Sequence, residues 1–318
     1  MSCTPIGKEC EADAYCVLRI PLRNTQHALR SMQQVRAFLD LIKFEHTIFA
    51  LPFAYLGMVL AAHGLPTLHQ FIWITIAMAS ARTLAMSFNR FADRQIDARN
   101  PRTASRPIQA GKISVRTVVV GAVVSLIVLA FAAWQLNPLT LQLLPGAVVF
   151  LLGYAYTKRF TVLSHFILGF TDGLAPIGAW AGMRASVFTS ADLPAWLLLF
   201  AVTFWIGGFD LIYACQDTEF DRAEKLHSVP ARWGNAVALR LAQISHVITL
   251  GLLSVVGLFM NLGVIYWIGL VIVAALIIYE HSLVKPNDLS KVNVAFFNVN
   301  GYISITIFVA AFIAVYVH

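Results

Sequence analysis

Apolar stretches of roughly twenty residues recur along the chain after a polar beginning, and short polar connections separate them. An α-helix needs about 20 apolar residues to cross the hydrocarbon core of a bilayer. The strand-length alternation that is typical of a membrane β-barrel is absent from the sequence, so the pattern favours helices. Nine candidate spans follow, at 44–62, 68–90, 116–135, 139–157, 162–183, 194–215, 236–258, 262–280 and 295–317.

The composition agrees with a chain that crosses a membrane many times. Of the 318 residues, 58% are hydrophobic and 12% are charged, whereas soluble domains carry about 25% charged residues. These proportions exclude a disordered chain, a disulfide-rich secreted protein and an ordinary soluble enzyme. We therefore predict an all-α fold, a polytopic bundle of nine transmembrane helices over residues 36–318. Residues 1–35 are mixed and polar without an apolar core before a cleavage site, and we interpret them as a tail.

The basic residues predict the orientation of this bundle. The net charge is +7, and 21 of the 23 Lys and Arg residues lie in the tail or in connections that follow even-numbered spans. Basic residues concentrate on the cytoplasmic side of membrane proteins. The N-terminus and the long polar connections are therefore predicted to be cytoplasmic, and the positive charge needs no nucleic-acid partner to explain it.

Two acidic segments lie at the cytoplasmic ends of the second and sixth predicted spans. In the first segment Asn89, Asp93 and Asp97 follow one another at intervals of four residues. That spacing predicts one face of a helix, with two carboxylates on adjacent turns. Like charges at this spacing repel each other, so the arrangement is favourable only with a cation nearby.

The second acidic segment has the same character. Asp210, Asp217 and Asp221 are spaced i, i+7 and i+11, which again predicts one helix face, and Tyr213 lies one turn beyond Asp210. Carboxylates near the membrane boundary are costly unless they are paired or bound to a metal.

Together the two segments suggest a metal site that holds a diphosphate. Mg²⁺ prefers hard oxygen ligands and combines one or two carboxylates with phosphate oxygens and water. The alternative is that each carboxylate pairs with a neighbouring base at a solvated helix end. Basic residues that could meet the same phosphates lie close by in the sequence: Arg102, Arg106, Lys158 and Arg159.

Arg82 lies inside the second predicted span, about two turns deeper than Asn89 on nearly the same face. An arginine at that depth is costly unless it faces a polar cavity or forms an internal ion pair. The functional interpretation is a site for an anionic substrate group such as an aromatic carboxylate.

The fifth predicted span carries Gly169, Asp172, Gly173 and Pro176. These residues predict a broken helix that lines a cavity. Asp172 is either a proton acceptor there or a packing residue.

The two acidic segments resemble the signatures of a known family. Asn89-x3-Asp93-x3-Asp97, followed by Arg102-Thr103-x2-Arg106-Pro107, is similar to the first signature of the UbiA-type intramembrane aromatic prenyltransferases. Asp210-x2-Tyr213-x3-Asp217-x3-Asp221 is similar to the second, and the likeness extends from about residue 36 onward. The stretches 89–94 and 213–217 look most like the 4-hydroxybenzoate polyprenyltransferase branch.

This resemblance implies a nine-helix bundle that opens laterally to lipid, with a cytoplasmic cap over the active site, in a bacterial inner membrane. It implies that Asp93, Asp97, Asp217 and Asp221 hold Mg²⁺ and diphosphate. It further implies roles in substrate binding for Arg82, Asn89, Arg102, Arg106, Lys158, Asp210 and Tyr213. Among these, Lys158 would bind the diphosphate and Arg82 the carboxylate of the acceptor.

The expected activity is Mg²⁺-dependent transfer of a polyprenyl group from polyprenyl diphosphate to an aromatic acid. 4-Hydroxybenzoate, the acceptor of ubiquinone-type quinone biosynthesis, is the first expectation. The stretch 226–234 is instead similar to forms in menaquinone-pathway relatives, which leaves a naphthoate acceptor as an alternative. From another class, a transporter of divalent cations or anionic metabolites is also compatible with intramembrane acidic residues.

Overall fold

The computed structural model describes residues 34–42 and 47–317, without the side chains of residues 47–50. The predicted tail at 1–35 lies outside the described residues, apart from residues 34 and 35, which belong to a helix at 34–41 (α1). The described residues form helices and connections, with no β-strand among them.

In the part of the chain that the structure describes, nine long helices correspond to the nine predicted spans, each within a few residues of the expected bounds. They are α2 (Thr47–Ala62), α3 (Leu68–Ala92), α5 (Val115–Leu136), α6 (Pro138–Thr157), α7 (Ser164–Arg184), α8 (Leu193–Ala214), α11 (Asn235–Phe259), α12 (Val264–Ser282) and α13 (Asn300–Val317). Short helices lie between them: α4 (Arg94–Arg99), α9 (Thr218–Ala223) and α10 (Val229–Trp233).

Polar residues set the starts of several long helices. The Thr67 side chain accepts from the Gln70 amide in a capping box before α3. The Asn137 side chain accepts from the Thr140 amide at the start of α6, and Pro138 occupies the first helical position, where its missing N–H has no cost. These caps confine each apolar run to one helix.

Within the described ranges, seven helical segments are long and apolar enough to cross a bilayer. Their outer faces carry apolar side chains, as on α5, where Val120, Val123 and Ile127 are all exposed. Such surfaces need lipid rather than water around them. The prediction of a multi-pass membrane protein is thus confirmed, whereas nine crossings stay a prediction because α2 and α7 do not meet the same measure of length and hydropathy.

Helix α7 packs between α2, α6 and α8 and is continuous, so the prediction of a broken fifth span is wrong. Its glycines serve close packing instead. A Cβ atom at Gly169 would overlap the carbonyl oxygen of Thr203 on α8, and one at Gly173 would lie 2.6 Å from that of Leu199. The absence of side chains lets α7 and α8 approach closely, while Pro176 is accommodated inside the helix.

Candidate active site

The first acidic segment lies where α3 gives way to α4. Asp93 caps the end of α3, with φ −90° and ψ 3°, and α4 begins at Arg94. The predicted single helix is therefore interrupted at Asp93. The Asp97 amide still donates to the Asp93 carbonyl oxygen at 2.8 Å, which keeps the two carboxylates one turn apart.

Asp93 is almost completely buried, with 3% of its surface exposed. Lys158 Nζ lies 2.9 Å from its Oδ2, and an Arg159 guanidinium nitrogen lies 3.2 Å from its Oδ1. Asn89 Nδ2 donates to Oδ2 at 3.3 Å. Two cations from the end of α6 thus offset the cost of burying this carboxylate.

Asp97 is likewise buried, and its partner comes from the connection after α4. Arg106 lies 2.5 Å from its Oδ2. The Thr103 hydroxyl donates to the Asp97 carbonyl oxygen at 2.9 Å and ties the same connection to α4. Side-chain cations therefore stand beside both carboxylates of the first segment, as their spacing requires.

The second acidic segment is divided among three elements rather than lying on one helix face as predicted. Asp210 lies on α8, Asp217 ends a 3-10 turn at Cys215–Asp217, and Asp221 lies on α9. The tighter turn changes the angular spacing between the carboxylates. His165 Nδ1 lies 2.7 Å from Asp210 Oδ2, and the Ser228 side chain lies close to Asp221.

The structure brings the two acidic segments together, as the sequence analysis predicts. Asn100, just beyond α4, donates from Nδ2 to Asp217 Oδ1 at 3.0 Å. Arg102 donates two hydrogen bonds to the same carboxylate, from Nε to Oδ1 at 2.9 Å and from Nη2 to Oδ2. Arg99 and Glu224 form a third link, at 2.6 Å. The end of α4 and the connection that follows the first acidic segment therefore contact the second segment directly.

Charge at this junction stabilises the ionised form of Arg102. Burial by itself lowers the pKa of the Arg102 guanidinium, but the hydrogen bond and the negative charge of Asp217 outweigh burial and raise that pKa. A guanidinium paired with a carboxylate through two parallel bonds is also fixed in orientation. Arg102 is thus a permanent, oriented cation within the site.

Lys158 stands between the two segments. Besides its contact with Asp93, its charge reaches Asp217 and Asp221. Its carbonyl oxygen accepts a bond from the His227 amide at 2.7 Å, which attaches the stretch before α10 to the end of α6.

A cavity of about 200 Å³ opens among α3, α5, α6 and α7. Its walls are mainly apolar, and its polar lining includes Arg82, Tyr154 and Asp172. Arg82 Nε is buried and has no hydrogen-bond partner among the described residues, while Asp172 and Tyr154 lie within electrostatic reach of it. Arg82 therefore lines this cavity, and so does α7 although it is not broken; a role for Arg82 in binding a substrate carboxylate stays a prediction.

Several residues of the site escaped the sequence analysis. Asn100 binds the second acidic segment, Ser228 lies close to it, and His165 holds Asp210. Tyr154 lies four residues before Lys158, a spacing that places both on one face of α6 and was available in the sequence. The partners of His165 could not be read from sequence, because they depend on the packing of α7 against α8.

In the described part of the chain, no three His, Cys, Asp or Glu side chains converge closely enough to hold a metal ion. A cage made of protein ligands alone is thus not formed by these residues. Mg²⁺ is typically held by one or two carboxylates together with substrate phosphates. The pair Asp93 and Asp97 and the pair Asp217 and Asp221 supply oxygen donors of that kind and fit this ion.

Comparison with known proteins gives a consistent result. The sequence model of the UbiA prenyltransferase family matches residues 50–302. The chain is 29% identical over 293 residues to a 4-hydroxybenzoate octaprenyltransferase of Photobacterium profundum, covering 90% of this chain and 98% of that one.

Solved structures agree with the sequence comparison. A UbiA homolog from Aeropyrum pernix K1, solved in its apo form, superposes with a TM-score of 0.77 and 33% identity, covering 85% of this chain and 98% of that one. A UbiA homolog from Archaeoglobus fulgidus bound to GPP and Mg²⁺ shares the fold, with a TM-score of 0.63 and 21% identity, over 88% of this chain and 99% of that one.

Proposed function

This chain belongs to the UbiA prenyltransferase family and is a membrane prenyltransferase, and we propose that it transfers a polyprenyl group from its diphosphate to the ring of 4-hydroxybenzoate. The relative from Photobacterium carries that activity in its name. We further propose that the site faces the cytoplasm of a bacterial inner membrane, that the connections after α3 and α8 form the cap over it, and that the chain crosses the bilayer nine times.

One observation carries the proposal: Asn100 and Arg102, which follow the first acidic segment, both bind Asp217 of the second. This contact makes one polar site from two segments more than a hundred residues apart. Tyr154 lines the apolar cavity and lies one helical turn before Lys158 of the polar site, so we infer that the cavity adjoins that site. A polar head group and an apolar tail on one substrate match this division.

The residues present suit Mg²⁺ and a diphosphate together. The four aspartates Asp93, Asp97, Asp217 and Asp221 would hold the metal. The UbiA homolog from Archaeoglobus fulgidus, which has the same fold, is bound to GPP and Mg²⁺. When bound, Mg²⁺ would neutralise the negative charge that develops on the leaving diphosphate. The bases that now pair with the aspartates are the residue types that bind phosphate oxygens.

The apolar cavity supports binding of the prenyl tail. Its volume of about 200 Å³ suits an apolar group such as the beginning of a long polyprenyl chain. Leu143 both lines this cavity and is exposed on the outer face of α6. The rest of the tail would leave past Leu143 into the bilayer, so the protein would not limit its length.

Arg82 supports an acceptor that carries a carboxylate. Its buried Nε lacks a partner among the described residues, and an unpaired buried donor is costly. A substrate carboxylate would supply the missing acceptor and hold the ring in the cavity. A naphthoate acid would meet the same requirement and is the second candidate for the acceptor.

The reaction then proceeds from the positions of these groups. Arg102, Arg106, Lys158 and Arg159 would bind the diphosphate oxygens and stabilise their charge as the carbon–oxygen bond of the donor breaks. The ring carbon beside the hydroxyl forms a bond with the allylic carbon. The ring proton passes to the released diphosphate or to an aspartate. Apolar cavity walls exclude water from the allylic cation.

The test is an assay with the purified chain in lipid vesicles. Geranyl diphosphate, 4-hydroxybenzoate and Mg²⁺ are expected to yield a prenylated acid detected by mass spectrometry, and a chelator is expected to abolish it. A parallel reaction with a dihydroxynaphthoate decides between the two acceptors. Absence of any prenylated ring with either acceptor would refute the proposed function. The alternative of a transporter for divalent cations or anionic metabolites would then be favoured.

A further inference from the structure

A π-helical turn, Val294–Val299, leads into α13. Such turns are rare and are frequent at functional sites. The Asn300 side chain stabilises this turn, because its Nδ2 donates to the carbonyl oxygen of Ala295 at 3.1 Å and lies 3.3 Å from that of Phe296. The wider turn therefore depends on a specific polar side chain.

Asn300 is held in turn by Glu280 on α12. Asn300 Nδ2 donates to Glu280 Oε1 at 2.9 Å, and both residues are almost fully buried. His246 Nδ1 lies 3.7 Å from Glu280 Oε2. A carboxylate inside a membrane bundle is costly and is a functional candidate by default. Apolar residues would join α12 and α13 at lower cost, so this polar pair indicates a requirement beyond packing.

The π turn places Phe296 against the active site. The centroid of the Phe296 ring lies 4.1 Å from that of Tyr213, at an interplanar angle of 32°. Phe296 also packs edge-to-face against Phe209, with centroids 5.1 Å apart. Phe296 is thus a rigid spacer between the π turn and Tyr213.

Tyr213 links Phe296 to the proposed diphosphate site, because it also contacts Arg102. Its hydroxyl accepts a bond from Arg102 Nη1 at 3.0 Å. The Arg102 guanidinium carbon also lies 5.1 Å from the centroid of the Tyr213 ring, a cation–π geometry. The same guanidinium binds Asp217 through its two other nitrogens.

We propose that Glu280 and Asn300 are positioning residues, which hold the π turn so that Phe296 supports Tyr213 and Tyr213 orients Arg102 on Asp217. None of the three outer residues, Glu280, Asn300 and Phe296, belongs to the acidic segments. Their effect on the reaction is indirect, through the orientation of Arg102. The inference rests on the proposed function in taking a diphosphate as the ligand of Arg102 and Asp217.

The first test measures binding without turnover. The purified full chain is titrated with inorganic pyrophosphate and Mg²⁺, and affinity is followed by thermal shift or calorimetry. Asn300→Leu and Phe296→Leu are expected to weaken binding at least about tenfold. Glu280→Gln keeps an oxygen that accepts from Asn300 and is expected to bind within about twofold of the wild type, whereas Glu280→Leu is expected to resemble Asn300→Leu.

Tyr266→Phe is the matched control. Tyr266 is buried on α12 like Glu280, and its hydroxyl donates to the Leu253 carbonyl oxygen at 2.8 Å, away from the π turn. Its loss is expected to lower thermal stability and leave pyrophosphate affinity unchanged. Phe296→Leu leaves the polar pair intact, so it carries the test if Asn300→Leu does not fold.

Kinetics provide a second readout. The positioning role predicts that KM for geranyl diphosphate rises about tenfold in Asn300→Leu and Phe296→Leu, while KM for the acceptor does not change. A merely structural role lowers the amount of active protein and leaves both KM values as they were. Wild-type affinity and KM in these two variants, or an equal loss in Tyr266→Phe, would overturn the inference.

These outcomes separate the two proposals. If the wild-type chain binds Mg²⁺ and pyrophosphate and the variants do not, but no ring is prenylated, the positioning role stands and the proposed function fails. If the wild type prenylates its acceptor and the variants bind pyrophosphate normally, the positioning role alone fails. A wild-type chain that binds no pyrophosphate overturns both.

Discussion

Arg102 and Asp217 form a two-point ion pair across 115 residues of sequence, with Nε 2.9 Å from Oδ1. This pair fastens the connection after the first acidic segment to the second acidic segment. A diphosphate with its metal would need both members, the carboxylate for the metal and the guanidinium for phosphate oxygens. We expect both side chains to contact the same bound diphosphate, Asp217 through the metal and Arg102 directly.

Arg102→Lys is expected to raise KM for the prenyl diphosphate about tenfold, a loss of about 1.4 kcal/mol in binding. Lysine keeps the charge but cannot make two parallel bonds to a carboxylate or phosphate. Arg102→Ala, which also removes the charge, is expected to lower kcat/KM for the donor further. Steady-state kinetics over a range of donor concentrations measure both, and equal activity of the lysine variant and the wild type would contradict the role.

Asp93→Asn is expected to lower kcat by at least about 100-fold, the scale found when a charge-stabilising group is removed from an active site, while the protein still inserts into membranes. The amide keeps the size of the side chain but is a poor metal ligand and leaves Lys158 and Arg159 without a charged partner. Asp217→Asn is expected to behave alike. Activity at saturating Mg²⁺ is measured together with the yield of folded protein.

Asp192→Asn is the control for these two variants. Asp192 is also a buried aspartate, bound by Trp180 Nε1 at 2.9 Å and by Arg184, but it precedes α8 whereas Asp217 follows it. Its loss is expected to lower the melting temperature without changing the dependence on Mg²⁺. Near-normal Mg²⁺-dependent transfer in Asp93→Asn would remove that residue from the metal site.

Arg82→Gln is expected to raise KM for 4-hydroxybenzoate at least about tenfold, because a charge-assisted bond to the carboxylate is lost. KM for the diphosphate is expected to stay within about twofold, since the acidic segments remain intact. A phenol without a carboxylate is expected to be used equally poorly by the wild type and the variant. Equal increases in both KM values would exclude Arg82 as the carboxylate site.

Ala147→Phe is expected to reduce kcat/KM for geranyl diphosphate at least about tenfold. Ala147 lines the cavity, and a phenyl ring there would occupy much of the space for the tail, because interiors have few spare voids. Val149→Phe on the same helix is the control, since Val149 is 68% exposed and points away. The two variants are compared in vesicles with the same donor, and equal losses would show that this cavity does not bind the tail.

The sequence was sufficient to predict the long helices and the meeting of the acidic segments. Helix length follows from hydropathy, and α5 and α6 begin and end within three residues of the predicted bounds because Ser114, Asn137 and Pro138 mark their starts. Two acidic segments at equivalent helix ends predicted that the segments lie together. They did not predict the specific contact between Arg102 and Asp217.

Other features depend on packing and could not be predicted in that way. The breaks at Asp93 and at Cys215–Asp217 arise within sequences that would also suit a continuous helix. The glycines of α7 gave a wrong prediction of a break because close approach to α8, which they serve, is invisible along a single chain. The π turn before α13 has no sequence pattern of its own and depends on the bond between Asn300 and Glu280.

Both acidic segments are expected to hold one diphosphate through bound metal. An experimental structure of the full chain with a non-hydrolysable geranyl thiodiphosphate and Mn²⁺ in place of Mg²⁺ tests it most directly, because anomalous scattering locates Mn²⁺. Metal ions are expected to be bound by Asp93 or Asp97 on one side and by Asp217 or Asp221 on the other, with a single diphosphate between them and Arg102 on its oxygens. A diphosphate that contacts only one acidic segment, or metal ions bound away from both, would contradict it.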